Sequence, residues 1–302
     1  MQDNHPYLII GGSTKCGTTS LFNYFEFHTE VCACSMKESR YFLEPKYKLI
    51  AAKRDHSSIT EFGQLFKDCK PSQVRIEATP DYLYSAHALN RIAKELPNTK
   101  MVFILRKPIG RLMSWFRYSK QLGLIDATVG FDDFVEMQKT AYDAPQHLRS
   151  LEQGLYSNYL EKAAEILGKD KIMICFYENL ERDPKELCKR ICSFAGLDHA
   201  YFENFEFVVY NKSTAGRAGI AARTFRKLKR LIKPLKQRLP LVVRKRLKLA
   251  SLAIESTLKG DSTSTGGSIQ MQPETESFLS GYYADESDKI QRITGLIPPW
   301  NK

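Results

Sequence analysis

A glycine-rich stretch near the start of the chain holds the first residues that could do chemistry. Residues 11–20 read GGSTKCGTTS, and Gly12 and Gly17 have the spacing of a nucleotide phosphate loop, G-x-x-x-x-G-K-[ST]. Thr18 stands where that motif has its lysine, and Lys15 lies inside the loop, three positions earlier. A glycine turn that leads into a helix directs backbone N–H groups and the helix dipole at one point. The stretch therefore predicts an anion site with an unusually placed lysine.

A second stretch, residues 101–120, reads MVFILRKPIGRLMSWFRYSK and joins an apolar run to a helical pattern. Arg106 ends the apolar run, Pro108 stands near the helix start, and Ser114 follows eight residues after the arginine. A guanidinium is a forked, permanently charged donor for phosphate, and a hydroxyl about two turns into the helix can reach the same oxygens. Arg106 and Ser114 thus predict a second anion site, whereas Arg111 and Arg117 are expected to be solvated or paired with other residues.

Short apolar runs alternate with helical patterns through the first two thirds of the chain. This alternation predicts an α/β fold with a phosphate-loop-like, mostly parallel central sheet flanked by helices, followed by a helical C-terminal portion. The functional loops of such a sheet lie at the carboxyl ends of its strands. The predicted strands are Tyr7–Gly11, Val74–Glu77, Met101–Leu105 and Ile172–Phe176. The predicted helices are Thr18–His28, Ile59–Asp68, Ala86–Leu96, Ile109–Gln121, Phe131–Thr140, Ser157–Leu167, Pro184–Ala195, Glu274–Gly281 and Asp285–Leu296.

The loop, together with the segment MKESRYF after its helix, resembles sulfotransferases that use 3′-phosphoadenosine 5′-phosphosulfate (PAPS). The similarity is to heparan-sulfate-type and bacterial carbohydrate enzymes, and it continues through EATPDYLY, GLYSNYLEKAAEILGKDKIMICFYENL and YYADESDKIQRITGLIPPW. It implies that the loop binds the 5′-phosphosulfate and that Arg106 and Ser114 bind the 3′-phosphate. It also implies adenosine 3′,5′-bisphosphate as the product of the donor and no need for a metal. The implied loop contacts are Lys15, Cys16, Gly17, Thr18, Thr19 and Ser20.

The resemblance also implies catalytic roles. Lys15 would neutralise charge on the bridging oxygen as its bond to sulfur breaks. Glu38 matches the glutamate that the heparan-sulfate-type enzymes use as base, and the neighbouring Lys37 and Arg40 would keep it ionised. Asp81 is the alternative base, or a group that binds hydroxyls of the acceptor. The implied acceptor contacts are Lys37, Asp81 and Tyr156.

Two positions depart from the family pattern. Arg40 stands where many relatives have histidine, and Ala78 stands where the heparan-type enzymes have lysine. Loss of that lysine favours an acceptor less anionic than heparan sulfate. We therefore expect a carbohydrate-type acceptor: a sugar hydroxyl or amine of a glycan, glycolipid or lipo-oligosaccharide. The alternatives are a natural-product hydroxyl, an ATP- and magnesium-dependent kinase, which Thr18 disfavours, and a polyanion- or membrane-binding module.

The net charge of +11 comes from one segment of the chain. Residues 217–248 contain thirteen Lys and Arg and no Asp or Glu, which leaves 32 basic and 34 acidic residues elsewhere. The basic helical segment, about 217–258, is expected to pack on the domain with a solvated basic face, or to contact an anionic membrane or a lipid-linked acceptor. No nucleic-acid recognition module accompanies it, so nucleic acid is not an expected partner. In the preceding loop NKSTAGRAG, Lys212 and Arg217 are expected to contact phosphate of the cosubstrate.

The bulk composition predicts an ordinary globular protein. With 302 residues, 43% of them apolar, we expect one domain over residues 1–302, with a mobile polar loop at about 260–272. The seven cysteines are odd in number and scattered, without metal-site spacing, which favours a reduced compartment. The opening residues do not resemble a signal peptide, and no run approaches the roughly 20 apolar residues that cross a bilayer, so neither a secretory leader nor a membrane span is expected. The expected location is cytoplasmic, with attachment to the membrane periphery through the basic segment as the alternative.

Overall fold

The computed structural model describes residues 2–45, 47, 58–139, 149–208 and 269–300. By its contacts the chain divides into one unit of residues 1–211 and 271–302 and a second unit of residues 212–270. The fold described below is that of the first unit. Lys212, Arg217, the basic segment and most of the predicted polar loop lie outside the described residues, so the predictions made for them, and the single domain over 1–302, stay predictions.

Five parallel strands form the central sheet in the order β2-β3-β1-β4-β5. The strands are β1 Tyr7–Gly12, β2 Val31–Ala33, β3 Val74–Ala78, β4 Thr99–Leu105 and β5 Ile172–Phe176. The helices are α1 Thr18–Phe25, α2 Ile59–Gln64, α3 Ala86–Glu95, α4 Pro108–Leu122, α5 Phe131–Lys139, α6 Tyr156–Leu167, α7 Tyr177–Arg182, α8 Pro184–Ala195, α9 Pro273–Tyr282 and α10 Glu286–Thr294.

The central strands are buried on both faces, as expected for a parallel sheet covered by helices. In β1, Ile9 packs into a core on one side of the sheet, whereas Leu8 and Ile10 pack into a core on the other side. In β4, Phe103 joins the first core and Val102 the second. Alternating side chains of a strand point to opposite faces, so an unbroken apolar run supplies both cores at once.

The predicted fold class is confirmed, and the four predicted strands lie within two residues of their observed bounds. The carboxyl ends of β1, β3 and β4 are neighbours, because β1 pairs with β3 through Ile10 and Ala78 and with β4 through Gly12 and Phe103. The loops that follow these strands therefore lie at one edge of the sheet. Strand β2 was not predicted, since three residues at the sheet edge give no periodic signal.

A disulfide joins Cys32, in β2, to Cys69, which follows α2. The expectation of a reduced protein is wrong for this pair. The two cysteines are 37 residues apart in sequence, and the fold brings the edge strand against the end of the α2 segment. The other cysteines, at positions 16, 34, 175, 188 and 192, are buried and take part in no disulfide among the described residues. Among the described residues, we find no helix with the length and apolar character needed to cross a bilayer.

Candidate functional site

The loop between β1 and α1 has a backbone that only a few residue types adopt easily. Gly17 has a φ of 95°, and a Cβ at this position would lie 2.8 Å from Leu180 Cδ2 and 3.1 Å from the Tyr177 ring. Glycine is therefore required here by both backbone conformation and space. The N–H of Ser13 donates to the carbonyl of Ile104 at 2.8 Å, which ties the loop to β4. The fold thus fixes the loop at the carboxyl edge of the sheet.

Lys15 lies at the centre of this loop. Its Nζ is 3.9 Å from the centroid of the Tyr118 ring, a cation–π contact with α4. Burial lowers the pKa of Lys15 to about 8, although the Glu38 carboxylate acts in the opposite direction. Lys15 and Glu38 therefore interact across one site. Tyr118 was missed from the sequence, although it follows Ser114 by four residues, which is one turn along the helix.

The surroundings of the loop suit an anion. Helix α1 begins at Thr18 with no side-chain cap and no acidic residue in its first turn, so the N-terminal end of its dipole carries no compensating charge of its own. Within the described part of the chain, the buried Thr14 Oγ1 has no hydrogen-bond partner. A donor hydroxyl without an acceptor fits a ligand that offers oxygens. These observations agree with the phosphosulfate that the resemblance implies.

The predicted loop contacts differ in what their side chains can reach. Cys16 is completely buried, and its Sγ lies 3.9 Å from the Tyr156 hydroxyl. Burial raises the pKa of this thiol. The Cys16 side chain therefore faces the core, and the predicted contact of Cys16 with the cosubstrate stays a prediction. Thr18 and Ser20 are also nearly buried, at 5% and 9% exposure, whereas Thr19 is partly exposed.

Arg106 lies at the carboxyl end of β4, as predicted. Its Cζ is 4.3 Å from the centroid of the Tyr177 ring, and its Nε would lie 3.6 Å from a Cβ on Gly110. The side chain therefore folds back over the first turns of α4. Ser114 is one turn beyond Gly110 on the same helix face. The fold thus brings Arg106 and Ser114 to one side of α4, where a single phosphate could contact both.

Replacement of Arg106 by alanine is expected to weaken binding of adenosine 3′,5′-bisphosphate by about 10- to 100-fold. The variant loses charge-assisted hydrogen bonds to phosphate, each of which contributes about 1.5–3 kcal/mol. Titration calorimetry measures the affinity. Arg182→Ala is the control, since this arginine bonds only to Asn179 among the contacts described, at the exposed end of α7. An unchanged affinity in Arg106→Ala would remove Arg106 from the phosphate site.

The segment after α1 brings Glu38 to the same edge of the sheet. Its Oε1 accepts from Lys37 Nζ at 2.9 Å and its Oε2 accepts from Arg40 Nη2 at 3.2 Å. Burial would raise the pKa of Glu38, but the two cations together outweigh burial and lower it. The Glu38 side chain remains 35% exposed. The carboxylate is therefore ionised at neutral pH and open to a ligand, as a base requires.

Asp81 and Tyr156 were also predicted to contact the acceptor. Asp81 lies in the 3₁₀ turn Pro80–Tyr84 and is 4% exposed. Burial is the main cause of the raised pKa of Tyr84, and the charge of Asp81 adds to it. The role of Asp81 stays a prediction. Tyr156 is completely buried, and its hydroxyl donates to the carbonyl of Arg106 at 2.9 Å. This side chain therefore supports Arg106 from the core, and the predicted contact of Tyr156 with the acceptor stays a prediction.

Arg111 is completely buried, so of the two expected alternatives the solvated side chain is wrong and pairing with another residue is observed. Its Nη2 donates to the carbonyl of Ser150, whereas its Nε and Nη1 have no partner among the described residues. Its charge lowers the pKa that burial raises in the Cys16 thiol. A buried cation next to the loop adds positive potential there. Sequence spacing gave no sign of this burial.

Comparison with known proteins identifies relatives. Residues 5–217 match a family model described as the sulfotransferase domain. The chain is 26% identical over 205 residues to the bifunctional heparan sulfate N-deacetylase/N-sulfotransferase 1 of Xenopus laevis, which is 66% of this chain and 23% of that protein. It is 24% identical over 203 residues to the heparan sulfate glucosamine 3-O-sulfotransferase 3B1 of Mus musculus, which is 65% of this chain and 49% of that protein. The chain thus spans at most about half of these relatives.

Solved structures share the fold. A sulfotransferase from Alicyclobacillus acidocaldarius superposes with a TM-score of 0.66 at 16% identity, covering 97% of each chain. The mouse sulfotransferase SULT7A1, complexed with PAP, superposes with a TM-score of 0.50 at 14% identity, covering 98% of this chain and 90% of that one. Identities this low show similarity of fold alone.

Proposed function

Because the chain belongs to the sulfotransferase domain family, we propose that it transfers a sulfuryl group from PAPS to a hydroxyl or amine of a carbohydrate-type acceptor. Family membership confirms the predicted class of enzyme, a PAPS-dependent sulfotransferase. The observation that carries the proposed mechanism is that the loop of Lys15 and the segment of Glu38 meet at the carboxyl edge of the sheet. Ser13 N bonds to the carbonyl of Ile104 in β4, and Glu38 N bonds to the carbonyl of Ala78 in β3. One site then holds a cation for the leaving phosphate and a carboxylate for the proton of the acceptor.

On the donor side, the loop and the amino end of α1 hold the 5′-phosphosulfate, and Arg106 with Ser114 holds the 3′-phosphate. Two anchored phosphates fix the sulfur relative to Lys15. Fixing the reacting atoms in this way supplies a large part of the rate enhancement in group transfer. The Tyr118 ring holds the ammonium of Lys15 in place before the donor arrives.

The transfer is an in-line displacement at sulfur. The oxygen or nitrogen of the acceptor forms the new bond, and the bond between sulfur and the bridging oxygen of the 5′-phosphate breaks. The electron pair of that bond stays on the phosphate, where Lys15 neutralises it. Glu38 takes the proton of the acceptor. The products are the sulfated acceptor and adenosine 3′,5′-bisphosphate.

The acceptor class is inferred from the relatives and from the charges at the site. The curated relatives named above are enzymes of heparan sulfate. Lys37 and Arg40 give the acceptor side of the site some positive charge. Ala78 stands where the heparan-type enzymes have a lysine, so the positive charge of that lysine is absent. This supports a glycan, glycolipid or lipo-oligosaccharide of low charge, with a natural-product hydroxyl as the second candidate. The cytoplasmic location and a membrane contact through residues 217–248 stay predictions.

Thermal stabilisation by nucleotides tests the donor. We expect adenosine 3′,5′-bisphosphate to raise the melting temperature in the presence of a metal chelator. A ligand at 100 times its Kd adds about 2.7 kcal/mol to the free energy of unfolding. ATP with magnesium is the comparison, and stabilisation by ATP with magnesium alone would favour the kinase alternative and contradict the proposal.

The acceptor is then sought with sulfur-labelled PAPS. The panel contains 4-nitrophenyl glycosides with free hydroxyls or amines, lipo-oligosaccharide, and simple phenols. Transfer to glycosides or lipo-oligosaccharide is expected. Transfer to phenols alone would support the natural-product alternative. Binding of the bisphosphate without transfer to any member of the panel would favour a binding module over an enzyme.

A further inference from the structure

Glu77 is a buried carboxyl group that the proposed mechanism does not use. It lies near the carboxyl end of β3 and is completely buried. Its Oε1 accepts three hydrogen bonds: from Ser39 N at 3.1 Å, from Ser39 Oγ at 3.0 Å and from Thr79 Oγ1 at 2.7 Å. Ser39 directly follows the base in sequence. The carboxyl group of Glu77 is therefore joined to the backbone that carries the base.

The backbone on either side of Ser39 is strained. Glu38 has a φ of 58° and Arg40 a φ of 57°, in the left-handed region that residues other than glycine seldom adopt. Such residues cost about 1–3 kcal/mol each and persist only where the surroundings hold them. Here the end of β3 holds them: the N–H of Glu38 donates to the carbonyl of Ala78 at 2.9 Å, and the N–H of Arg40 donates to Thr79 Oγ1 at 3.1 Å.

The consecutive N–H groups of residues 38, 39 and 40 thus donate to residues 78, 77 and 79, respectively. Thr79 Oγ1 accepts from the third of these N–H groups while its own proton goes to Glu77. Glu77 therefore bonds one N–H directly and orients the acceptor of the next.

Glu77 can change charge near neutral pH. Burial raises the pKa of Glu77 to about 7, against the hydrogen bonds from Thr79 and Ser39. The charge of Lys37 lowers the pKa of Glu77, and the charge of Glu77 in turn contributes to the raised pKa of Tyr82, after the larger effect of burial. The Oε2 atom of Glu77 is buried and has no hydrogen-bond partner among the described residues. The ionised carboxylate is the stronger acceptor, so it holds the segment more firmly than the neutral acid.

We propose that Glu77 is a positioning residue for the base: it holds the backbone of residues 38–40 in the conformation that presents the Glu38 carboxylate to the acceptor. This inference rests on the proposed function, since it takes Glu38 as the base. A glutamate that serves only the stability of the fold would make the same contacts. The two roles differ in what its replacement does to turnover and to its pH dependence.

The test compares Glu77→Ala and Glu77→Gln with the unmodified chain. Two quantities are measured: hydrogen exchange of the amides of residues 38–40, and turnover on the glycoside of the panel that reacts fastest. Where no glycoside reacts, hydrolysis of PAPS to sulfate and bisphosphate replaces the second measurement, with water as acceptor. Glu77→Ala is expected to speed exchange and to lower turnover by ~100-fold, as a misplacement of about 1 Å does. Its affinity for the bisphosphate should stay within about 2-fold, a change of less than ~0.5 kcal/mol.

Glu77→Gln separates position from charge. Its amide oxygen can still accept from Ser39 and Thr79, as the neutral acid can, so exchange should be slower and turnover higher than in Glu77→Ala, near the level of the unmodified chain below pH 7. Turnover of the unmodified chain is expected to rise as the pH increases through about 7, where Glu77 ionises. Glu77→Gln has no such group and should lack this rise.

Glu286 supplies a matched control on α10. It is also buried and accepts from Ser157 N at 2.6 Å and Ser157 Oγ at 2.9 Å. Glu286→Gln should lower the melting temperature and keep the rise in turnover near pH 7. The inference is overturned if Glu77→Ala keeps its turnover, or if it loses turnover and bisphosphate binding in parallel. If the unmodified chain neither binds the bisphosphate nor consumes PAPS, the proposed function itself fails.

Discussion

Replacement of Lys15 by methionine is expected to lower turnover by about 100- to 1000-fold, the loss seen when one preorganised donor to a developing anion is removed. The position of Lys15 inside the loop, rather than at its end, explains the size of the effect. In the proposed complex the ammonium lies against the oxygen that gains charge as the bond to sulfur breaks. Methionine keeps an unbranched side chain as far as the ε position and lacks only the terminal ammonium, so the loop should retain its conformation. Initial rates with labelled PAPS measure the loss.

Lys162→Met is the control for this variant. Lys162 pairs with Glu165 on the surface of α6, and its side chain is 56% exposed. Surface pairs of this kind contribute about 0–1 kcal/mol to stability, so neither folding nor turnover should change appreciably. If Lys15→Met were as active as Lys162→Met, the leaving phosphate would have to be neutralised by another cation, and the reading of the loop would be wrong.

The pH dependence of bisphosphate binding gives a second measurement on the same variant. Burial lowers the pKa of Lys15 to about 8, so the free protein loses this charge as the pH rises through that value. An anion binds the protonated form more tightly. Affinity for the bisphosphate is therefore expected to fall as the pH rises through about 8 in the unmodified chain, and to stay level there in Lys15→Met. A fall of the same size in both would assign the titration to another group.

Short-range patterns predicted the parts of the site that lie on single elements. Lys15 and the hydroxyls of the loop follow one strand and begin one helix, so spacing alone places them at a helix terminus. Arg106 and Ser114 likewise lie on one strand and the helix after it. In each case the residues are close in sequence and also close in space, which is why the motif and the geometry agree.

The supporting residues could not be predicted because their roles arise from contacts between distant segments. Glu77 acts on Ser39 across 38 residues, and Tyr156 supports Arg106 across 50 residues. Burial of Arg111 depends on neighbours from other parts of the chain, and a charged residue on an amphipathic helix is by default expected at its surface. The Cys32–Cys69 bond was missed for the same reason, whereas the edge strand β2 was missed because three residues give no periodic signal.

Replacement of Glu38 by glutamine is expected to lower turnover by about 100- to 10,000-fold, the contribution of a positioned general base. The amide keeps the shape of the carboxylate but cannot take the proton of the acceptor. Affinity for the bisphosphate should stay within about 2-fold at pH 7, or less than ~0.5 kcal/mol, because Glu38 touches the acceptor side of the site. Calorimetry and initial rates together separate binding from chemistry.

The interaction between Glu38 and Lys15 adds a result that a distant base would not give. The Glu38 charge raises the pKa of Lys15, against the lowering caused by burial. Glu38→Gln removes this charge, so the pKa of Lys15 should be lower in the variant. The fall in bisphosphate affinity should then begin at a lower pH than in the unmodified chain. Asp81→Asn tests the alternative base. If that variant lost turnover while Glu38→Gln kept it, the base would be Asp81.

Glu44→Gln is the matched control for the assignment of the base. Glu44 lies six residues after Glu38 in the same segment, and its Oε2 accepts from Ser85 Oγ at 2.6 Å. Loss of this charge alters the segment without touching the proposed base, so turnover should stay near that of the unmodified chain. Equal losses in Glu44→Gln and Glu38→Gln would mean that the whole segment must be intact, and not that Glu38 takes the proton. A large loss in Glu38→Gln alone, with the affinity for the bisphosphate retained, places the proton transfer at this carboxylate.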